Sequence, residues 1–136
     1  MKILSCGLTI IFAVIIGCRH TDSKVFGDKA LIDQSSVTSV AITKIIRMPD
    51  TSKSIQKYLT KEQIISFTDK WNNATDEELI KYMPTFLIEI HFKNNSTRMF
   101  RVNGWHIKEK NDWSYDVKDK GFFENLFSEA SLQEIL

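Results

Sequence analysis

The sequence predicts an α+β domain in which a four-stranded antiparallel meander and an N-terminal strand carry two or three helices on one face. Apolar side chains recur at every second position of residues 86–92, which is the period of a half-buried β-strand. The three turns after this strand, each considered separately, bring the apolar residues of four strands onto one face. Apolar stripes with helical spacing flank the meander, and we expect these helices to cover that face.

Two segments before the first predicted helix have the composition of strands. Residues 37–47 are rich in Val, Ile and Thr and predict the N-terminal strand of the sheet. The turn at Pro49 ends this strand, because proline has no backbone N–H to donate to a sheet ladder. Residues 54–58 can form a short strand after the turn.

The helices are predicted from capping patterns and apolar stripes. Thr60 and Gln63 have the spacing of a capping box, in which the two side chains satisfy backbone N–H groups of the first turn. The apolar stripe of this helix is formed by Ile64, Phe67 and Trp71. Residues 75–83 begin with a second capping pattern and predict a short helical turn, which Pro84 ends. Residues 122–130 predict the last helix, whose apolar face consists of Phe123, Leu126, Phe127 and Ala130.

A three-residue loop at 94–96 fixes the predicted register of the first hairpin of the meander. It pairs Ile90 with Phe100 and keeps the apolar side chains of both strands on one face. A two-residue loop would instead place Ile88 opposite Arg101, so that an apolar position would face a charge. Asparagine in the loop tolerates the left-handed backbone that such a turn needs.

Two further turns complete the meander. Asn103-Gly104 is a strong signal for a two-residue hairpin turn, and the break at 110–112 turns the chain again. With both turns in place, Ile107 faces Tyr115. The predicted apolar face then has two rows. The first row is Ile88, Val102, Trp105 and Val117, and the second row is Ile90, Phe100, Ile107 and Tyr115.

The same register predicts a polar face on the other side of the sheet. One row of this face is Glu89, Arg101, His106 and Asp116. The other row is His91, Met99, Lys108 and Ser114. The simplest interpretation is a solvated surface, in which each cross-strand ion pair contributes about 0.2–1 kcal/mol. The functional interpretation is a recognition surface for a polar ligand or a partner protein. The candidate binding residues are Glu89, His91, Arg101, His106, Lys108 and Asp116.

A catalytic interpretation depends on His106 beside Asp116, where the imidazole could act as the general base of a small hydrolase. The predicted register places no Ser or Cys nucleophile beside this pair. A flat sheet face also does not exclude water. We therefore assign no catalytic residues, and a non-enzymatic function is the preferred prediction.

The three tryptophans could form a stacking surface for a glycan. Trp71, however, lies on the helical stripe, while Trp105 and Trp113 have the inward parity of the sheet. We therefore expect all three rings in the core, where each aromatic side chain buries a large area.

Metals, cofactors and nucleic acids are not expected partners. His20 lies in a polar N-terminal segment, and His91 and His106 lie on different rows, so the ligand spacing of a zinc site is missing. The glycines do not form a phosphate-binding loop, and no cofactor is predicted. Lys2 is the one charged residue in 1–17, so residues 18–136 contain 17 of the 18 basic residues and all 17 acidic ones. This balance argues against a nucleic-acid-binding protein.

The N-terminus has the plan of a secretory signal, with Lys2 as a positive start and no charge in residues 3–16. The segment ends in Ile-Ile-Gly-Cys at 15–18, which resembles the lipobox of bacterial lipoproteins over residues 1–18 only. This resemblance implies cleavage before Cys18 and a diacylglyceryl group, with palmitate-type acyl chains, on its sulfur. Each buried methylene contributes about 0.8 kcal/mol, so two or three acyl chains would anchor the protein stably.

The resemblance divides the chain into a signal peptide (1–17), lipidated Cys18 with a flexible tether (18–36) and a single α+β domain (37–136). Arg19 stands where lipoproteins that resemble enteric ones carry Asp to remain at the inner membrane, so the outer membrane is favoured. We expect a membrane-tethered binding or accessory module of the cell envelope, whose partner is an envelope protein or a polar ligand. A structural subunit of an envelope complex is a further alternative.

Overall fold

In the computed structural model, which describes residues 29–132, seven antiparallel strands form one sheet. In chain order the strands are β1 (Val37–Arg47), β2 (Ser52–Tyr58), β3 (Thr75–Leu79), β4 (Phe86–Phe92), β5 (Thr97–Asn103), β6 (His106–Lys108) and β7 (Trp113–Asp116). Their order across the sheet is β2-β1-β4-β5-β6-β7-β3. The helices α1 (Lys61–Asn73) and α2 (Phe122–Glu129) pack on one face, which we call the inner face.

The predicted four-stranded meander with one N-terminal strand and two or three helices is therefore wrong. The sheet has seven strands, and the described chain is mostly sheet with two α-helices. Much of the difference arises at 75–83, where Thr75–Leu79 is the edge strand β3 and pairs with β7 instead of forming a helix. The segment begins with acidic residues and lacks an apolar stripe that a helix could bury. A helix of one or two turns is also only marginally stable in water.

The β4–β5 hairpin is displaced by two residues from the predicted register. Ile88 lies opposite Phe100, where Ile90 was expected. The loop still has three residues but spans 93–95, and Asn95 adopts the left-handed conformation with a φ of 63°. Because the displacement is an even number of residues, the apolar side chains remain on the inner face while their cross-strand neighbours change.

The next turn is also displaced. Its two central residues are Gly104 and Trp105, rather than Asn103 and Gly104, so Trp105 leaves the predicted apolar row. Gly104 has a φ of 60°, a conformation that glycine adopts without strain. The β6–β7 register is confirmed, with Tyr115 opposite Ile107.

The core lies between the inner face of the sheet and the two helices. The apolar sheet residues with no exposed surface are Ile42, Ile88, Ile90, Phe100, Val102 and Ile107. From α1, the Trp71 ring lies edge-on to Phe100 at 4.8 Å between centroids and to Tyr115 at 5.1 Å. Trp71 is thus a core residue, as its helical stripe predicted. From α2, Phe123 and Leu126 complete the core.

Helix α1 begins with the predicted capping box. The Gln63 N–H donates to Thr60 Oγ1 at 3.3 Å, and the Thr60 N–H donates to Gln63 Oε1 at 2.9 Å. The side-chain amide of Gln63 also donates to the carbonyl of Leu126 at 3.1 Å. One residue therefore caps α1 and joins it to α2.

Residues 29–32, which we call the N-terminal strap, cross the end of α1 before the sheet begins. The Lys29 ammonium donates to three backbone carbonyls at this end of the helix, at 2.6 to 3.0 Å. The Arg98 guanidinium donates to two carbonyls of the strap, at 2.8 and 3.1 Å. Ile32 is 4% exposed and belongs to the core. The last part of the predicted tether (18–36) therefore packs on the domain.

Residues 1–28, which include Cys18 and His20, and residues 133–136 lie outside the described part of the chain. Within that part, neither helix combines the length and the apolar character that crossing a bilayer demands. The longer helix, α1, has 13 residues, whereas a spanning helix needs about 20.

Candidate functional site

Residues 80–85, which we call the crossover segment, run from the edge strand β3 to the central strand β4. They cross the face of the sheet opposite the helices, which we call the outer face. The Tyr82 hydroxyl donates to the carbonyl of Arg101 at 2.9 Å, and the Asn103 amide donates to the carbonyl of Met83 at 2.9 Å. The crossover segment therefore covers part of the polar face that the sequence predicted to be open.

Lys108, the last residue of β6, is buried beneath the crossover segment and is only 1% exposed. Its ammonium donates to the Asp112 carboxylate and to the Ile80 carbonyl, each at 2.9 Å. The same ammonium lies 4.0 Å from the centre of the Tyr82 ring, a cation–π contact that strengthens when water is excluded. This charge is fully engaged by its own neighbours and is not available to a ligand.

Two residues in contact with Lys108, Asp112 and Tyr82, have shifted pKa values. The hydrogen bond from Lys108 lowers the pKa of Asp112, and the Arg101 guanidinium at 3.9 Å contributes in the same direction. Burial raises the pKa of the Tyr82 hydroxyl, because the phenolate would lose its hydration. Asp112 is therefore anionic and Tyr82 neutral at physiological pH.

His106 is held by a carboxylate from the edge of the sheet. Its Nδ1 lies 2.6 Å from Glu77 Oε2, and the two side chains are 24% and 21% exposed. A register shift in β3 marks a bulge around Glu77, and bulges commonly redirect a side chain. The imidazole lies 4.8 Å from the Trp105 ring centre and 6.3 Å from that of Tyr82. Within residues 29–132, its other nitrogen, Nε2, has no hydrogen-bond partner.

Asp116 is not the carboxylate that orients His106. The two residues are cross-strand neighbours, as predicted, but the Asp116 carboxylate accepts a hydrogen bond from the backbone N–H of Lys118. The predicted His106–Asp116 dyad is thus replaced by a contact between His106 and Glu77.

The predicted cross-strand pair of Glu89 and Arg101 is also absent from the described structure. After the two-residue displacement, Glu89 lies opposite Met99, and Arg101 lies opposite Lys108. Glu89 pairs instead with His91, two residues along the same strand, at 2.9 Å between Oε1 and Nε2. The six candidate residues therefore divide into three local groups rather than forming continuous rows.

The crossover segment leaves open the outer-face surface of β1, β4 and β5. Where β1 pairs with β4, the β1 side chains on this face are small, so they project little from the sheet. Met99 is 43% exposed, and the side chains of Glu89 and His91 are exposed to a similar degree. We call this surface the open outer face, and its residues are Ser39, Thr43, Leu87, Glu89, His91, Met99 and Arg101.

Three residues that contact the candidate residues on the outer face were not themselves predicted, namely Glu77, Tyr82 and Asp112. Glu77 and Tyr82 belong to a segment that was predicted to be helical, so no sheet position could be assigned to them. Asp112 lies four residues after Lys108, across the β6–β7 turn. This short spacing between opposite charges was the one signal in the sequence that could have identified the pair.

Comparison of the chain with protein-family models, with curated proteins and with solved structures found no significant match. Among residues 29–132, no three His, Cys, Asp or Glu side chains come together in an arrangement suited to a metal ion. The interactions that the outer face offers are hydrogen bonds, charge pairs and apolar contacts from side chains held by their neighbours.

Proposed function

We propose that this protein is a lipid-anchored, non-enzymatic binding or accessory module of the bacterial cell envelope, and that the open outer face holds a partner protein. The anchor in this proposal is Cys18, which completes the lipobox-like sequence at 15–18. The observation that carries the binding role is the open outer face itself, where fixed charged groups lie beside the exposed side chain of Met99 and the partly exposed side chain of Leu87.

The charged groups of this surface are arranged before any partner arrives. Glu89 is paired with His91, and the Arg101 guanidinium donates to the carbonyl of Asn111 at 2.7 Å. Side chains that are already ordered lose less conformational entropy on binding. Met99 lies opposite Glu89 and two residues from Arg101, and both Met and Arg are enriched in protein–protein interfaces.

Photo-crosslinking in intact cells tests the partner-binding role. A photoreactive phenylalanine at Met99 should give one discrete crosslinked species, and Arg101→Glu should reduce its yield severalfold. Ile65 is the matched control, because it is 48% exposed but lies on α1, on the other side of the domain. Equal crosslinking from both positions, or none from Met99, would contradict the proposal.

The anchor is tested separately. Cys18→Ala should release the protein from the membrane fraction, because no acylated cysteine would remain. Density separation of the two membranes should place the unaltered protein with the outer membrane. Unchanged membrane retention of the Cys18→Ala variant would refute the anchor without affecting the binding role of the sheet.

A small hydrolase is the second candidate, and the contact between Glu77 and His106 is the observation that favours it. A carboxylate on Nδ1 fixes the tautomer that an imidazole needs to accept a proton at Nε2. An assay with a panel of p-nitrophenyl esters decides the matter. Ester hydrolysis that disappears in His106→Asn supports the hydrolase. If the protein hydrolyses none of the esters above background, an esterase activity is excluded.

A further inference from the structure

The described sheet has two edges, formed by the strands β2 and β3. An edge strand has backbone groups without a ladder partner, and proteins commonly protect such edges with charged residues or a bulge. Strand β3 has both forms of protection, because residues 76–78 are acidic and its pairing with β7 contains a register shift. Strand β2 pairs with β1 over seven residue pairs without a shift and contains no acidic residue. Of these two edges, β2 is therefore the regular one.

Three residues of β2 direct their backbone N–H and C=O groups away from β1. Tyr58 exchanges two backbone hydrogen bonds with Ser131, at 2.7 and 2.9 Å, so its own groups point outward from the sheet. Every second residue of an antiparallel strand points the same way, so the groups of Ser52, Ser54 and Gln56 also point outward. In the described part of the chain nothing pairs with them, and all three residues are exposed.

The side chains along this edge carry little charge. Those of Ser52, Ser54 and Gln56 are neutral and lie on the outer face. Lys57 lies on the inner face, where its ammonium donates to two carbonyls of α2 at 3.0 and 3.3 Å and is drawn away from the edge. Lys53 is exposed, and no carboxylate among the described residues pairs with it. A second strand could therefore approach this edge without meeting a row of charges.

Apolar side chains are exposed beside the unpaired backbone groups. Ile55 of β2 is 41% exposed on the inner face, and its diagonal neighbour on β1, Ile46, is 37% exposed. We call these two residues the edge patch. A regular, exposed and partly apolar edge strand is a ready template for pairing with another strand.

We propose that β2 pairs antiparallel with β2 of a second copy of this chain, and that a two-fold axis perpendicular to the sheet passes beside Ser54. The two Ser54 residues would then exchange both of their hydrogen bonds. Ser52 of each copy would pair with Gln56 of the other, so about six hydrogen bonds would join the two sheets. The same surface serves in both copies, as in most symmetric dimers.

The side chains and the bridge to Ser131 favour this register over its neighbour. An axis at Ile55 would place Lys53 of one copy opposite Lys57 of the other, and like charges directly opposite each other are destabilising. It would also require backbone groups that already bind Ser131. With the axis at Ser54, Lys53 lies opposite Ile55 of the other copy, and the two edge patches come together.

The interface would be small. Standard protein–protein interfaces bury about 1,200–2,000 Å², and a pair of such short strands buries less. We therefore expect a weak, reversible dimer whose population increases with concentration. The open outer face shares no residue with this edge, and the pairing does not require the lipid anchor, so each proposal can fail without the others.

Disulfide trapping tests the pairing. The full chain would carry Cys6→Ser and Cys18→Ser, so that an introduced cysteine is its sole thiol, and would be kept in an excess of detergent micelles. Ser54→Cys should give a disulfide-linked dimer under mild oxidation, because directly opposite residues have Cα atoms about 5.5 Å apart. Lys61→Cys, exposed at the start of α1, is the matched control and should link only by random collision.

Three further substitutions at one position test the affinity in the same background by sedimentation velocity. Ser54→Pro removes an N–H that the ladder with β1 does not use, and it should raise the dissociation constant of the dimer by about tenfold or more. Ser54→Lys places two ammonium groups opposite each other at the axis and should raise it about two- to fivefold. Ser54→Thr is uncharged and suits a strand, so it should leave the dimer intact. Urea unfolding checks that each variant is folded.

Preferential linking through Ser54→Cys, together with a dimer that Ser54→Pro and Ser54→Lys weaken, supports the proposal. Ser54→Cys that links no faster than Lys61→Cys would overturn it. A dimer that both disruptive variants leave unchanged would also overturn it, because the copies would then associate through another surface. Faster linking through Ile55→Cys than through Ser54→Cys would show that the axis lies at Ile55 and would contradict the proposed register.

Discussion

Glu77 Oε2 lies 2.6 Å from Nδ1 of His106, although the strand β7 separates their two strands. The edge strand β3 is thus attached to the sheet in two ways, by its ladder with β7 and by this side-chain contact with β6. Both side chains are partly exposed, so water and salt screen the interaction to some extent.

Removal of this contact should loosen the edge of the sheet. We expect Glu77→Ala to lower the free energy of unfolding by about 1 kcal/mol, the range of a charge-assisted hydrogen bond reduced by partial exposure. Glu77→Gln should cost less, because the amide can still hydrogen-bond to the imidazole. Urea unfolding measures both. Glu78→Ala, at the exposed neighbouring position, is the control, and an equal loss there would show that the contact contributes nothing.

The buried Lys108 should respond differently to two apolar replacements. Lys108→Ala removes the ammonium and leaves a void under the Tyr82 ring, so we expect a loss of about 3 kcal/mol. Lys108→Met fills most of the same volume and should cost about 1 kcal/mol, because the partly exposed Asp112 carboxylate can be hydrated. Similar losses in the two variants, measured by chemical unfolding, would argue against packing as the main contribution.

Asp112 should make the fold sensitive to acid. Its pKa is lowered in the folded state, chiefly by the hydrogen bond from Lys108, relative to about 3.9 in an unfolded chain. The ionised form therefore favours folding. This contribution is complete above the unfolded pKa and is lost as the pH falls through the lower folded pKa. The stability of Asp112→Asn, followed by thermal unfolding, should accordingly fall less steeply below about pH 4.

Part of the acid sensitivity should survive in that variant. The carboxyl of Asp33 also has a lowered pKa, because it accepts hydrogen bonds from the side chain and the backbone of Ser35. Asp50→Asn, in the exposed turn between β1 and β2, is the comparison. A pH profile of Asp112→Asn that matches the profile of the natural sequence would mean that the pair with Lys108 does not stabilise the fold.

Two glycines form a matched pair for testing the β5–β6 turn. Gly104 has a φ of 60° and open space on the side where a Cβ atom would lie, so backbone strain alone should make Gly104→Ala destabilising by about 1 kcal/mol. Gly121 has a φ of −98°, and an added methyl would make an ordinary contact at 3.6 Å. Gly121→Ala should therefore be neutral or slightly stabilising in thermal unfolding. A Gly104→Ala variant as stable as Gly121→Ala would exclude the left-handed turn.

Local patterns in the sequence predicted much of the inner face. The alternation in 86–92 placed Ile88 and Ile90 inside, and the capping box placed the start of α1. The hairpin registers were not fixed by the same patterns, because a shift of two residues leaves the apolar face intact. The register of each hairpin instead depends on which turn residue adopts the left-handed conformation. This residue is Asn95 in the first turn and Gly104 in the next.

The candidate site was harder to predict than the core. The pairing of Glu89 with Arg101 depended on a register that the apolar pattern could not specify. The partner of His106 comes from β3, whose pairing with β7 joins segments far apart in the chain and has no local signature. The burial of Lys108 results from the path of the crossover segment, which follows from the strand order.

The N-terminal strap also determines how the domain would carry a mechanical load. A pull along the chain from its N-terminal side reaches Lys29 and the carbonyls held by Arg98 before it reaches β1. The force would first act on contacts with the end of α1 and with β5, so it would be shared by a helix and a central strand. A domain loaded in this way would resist being peeled from the first strand of its sheet.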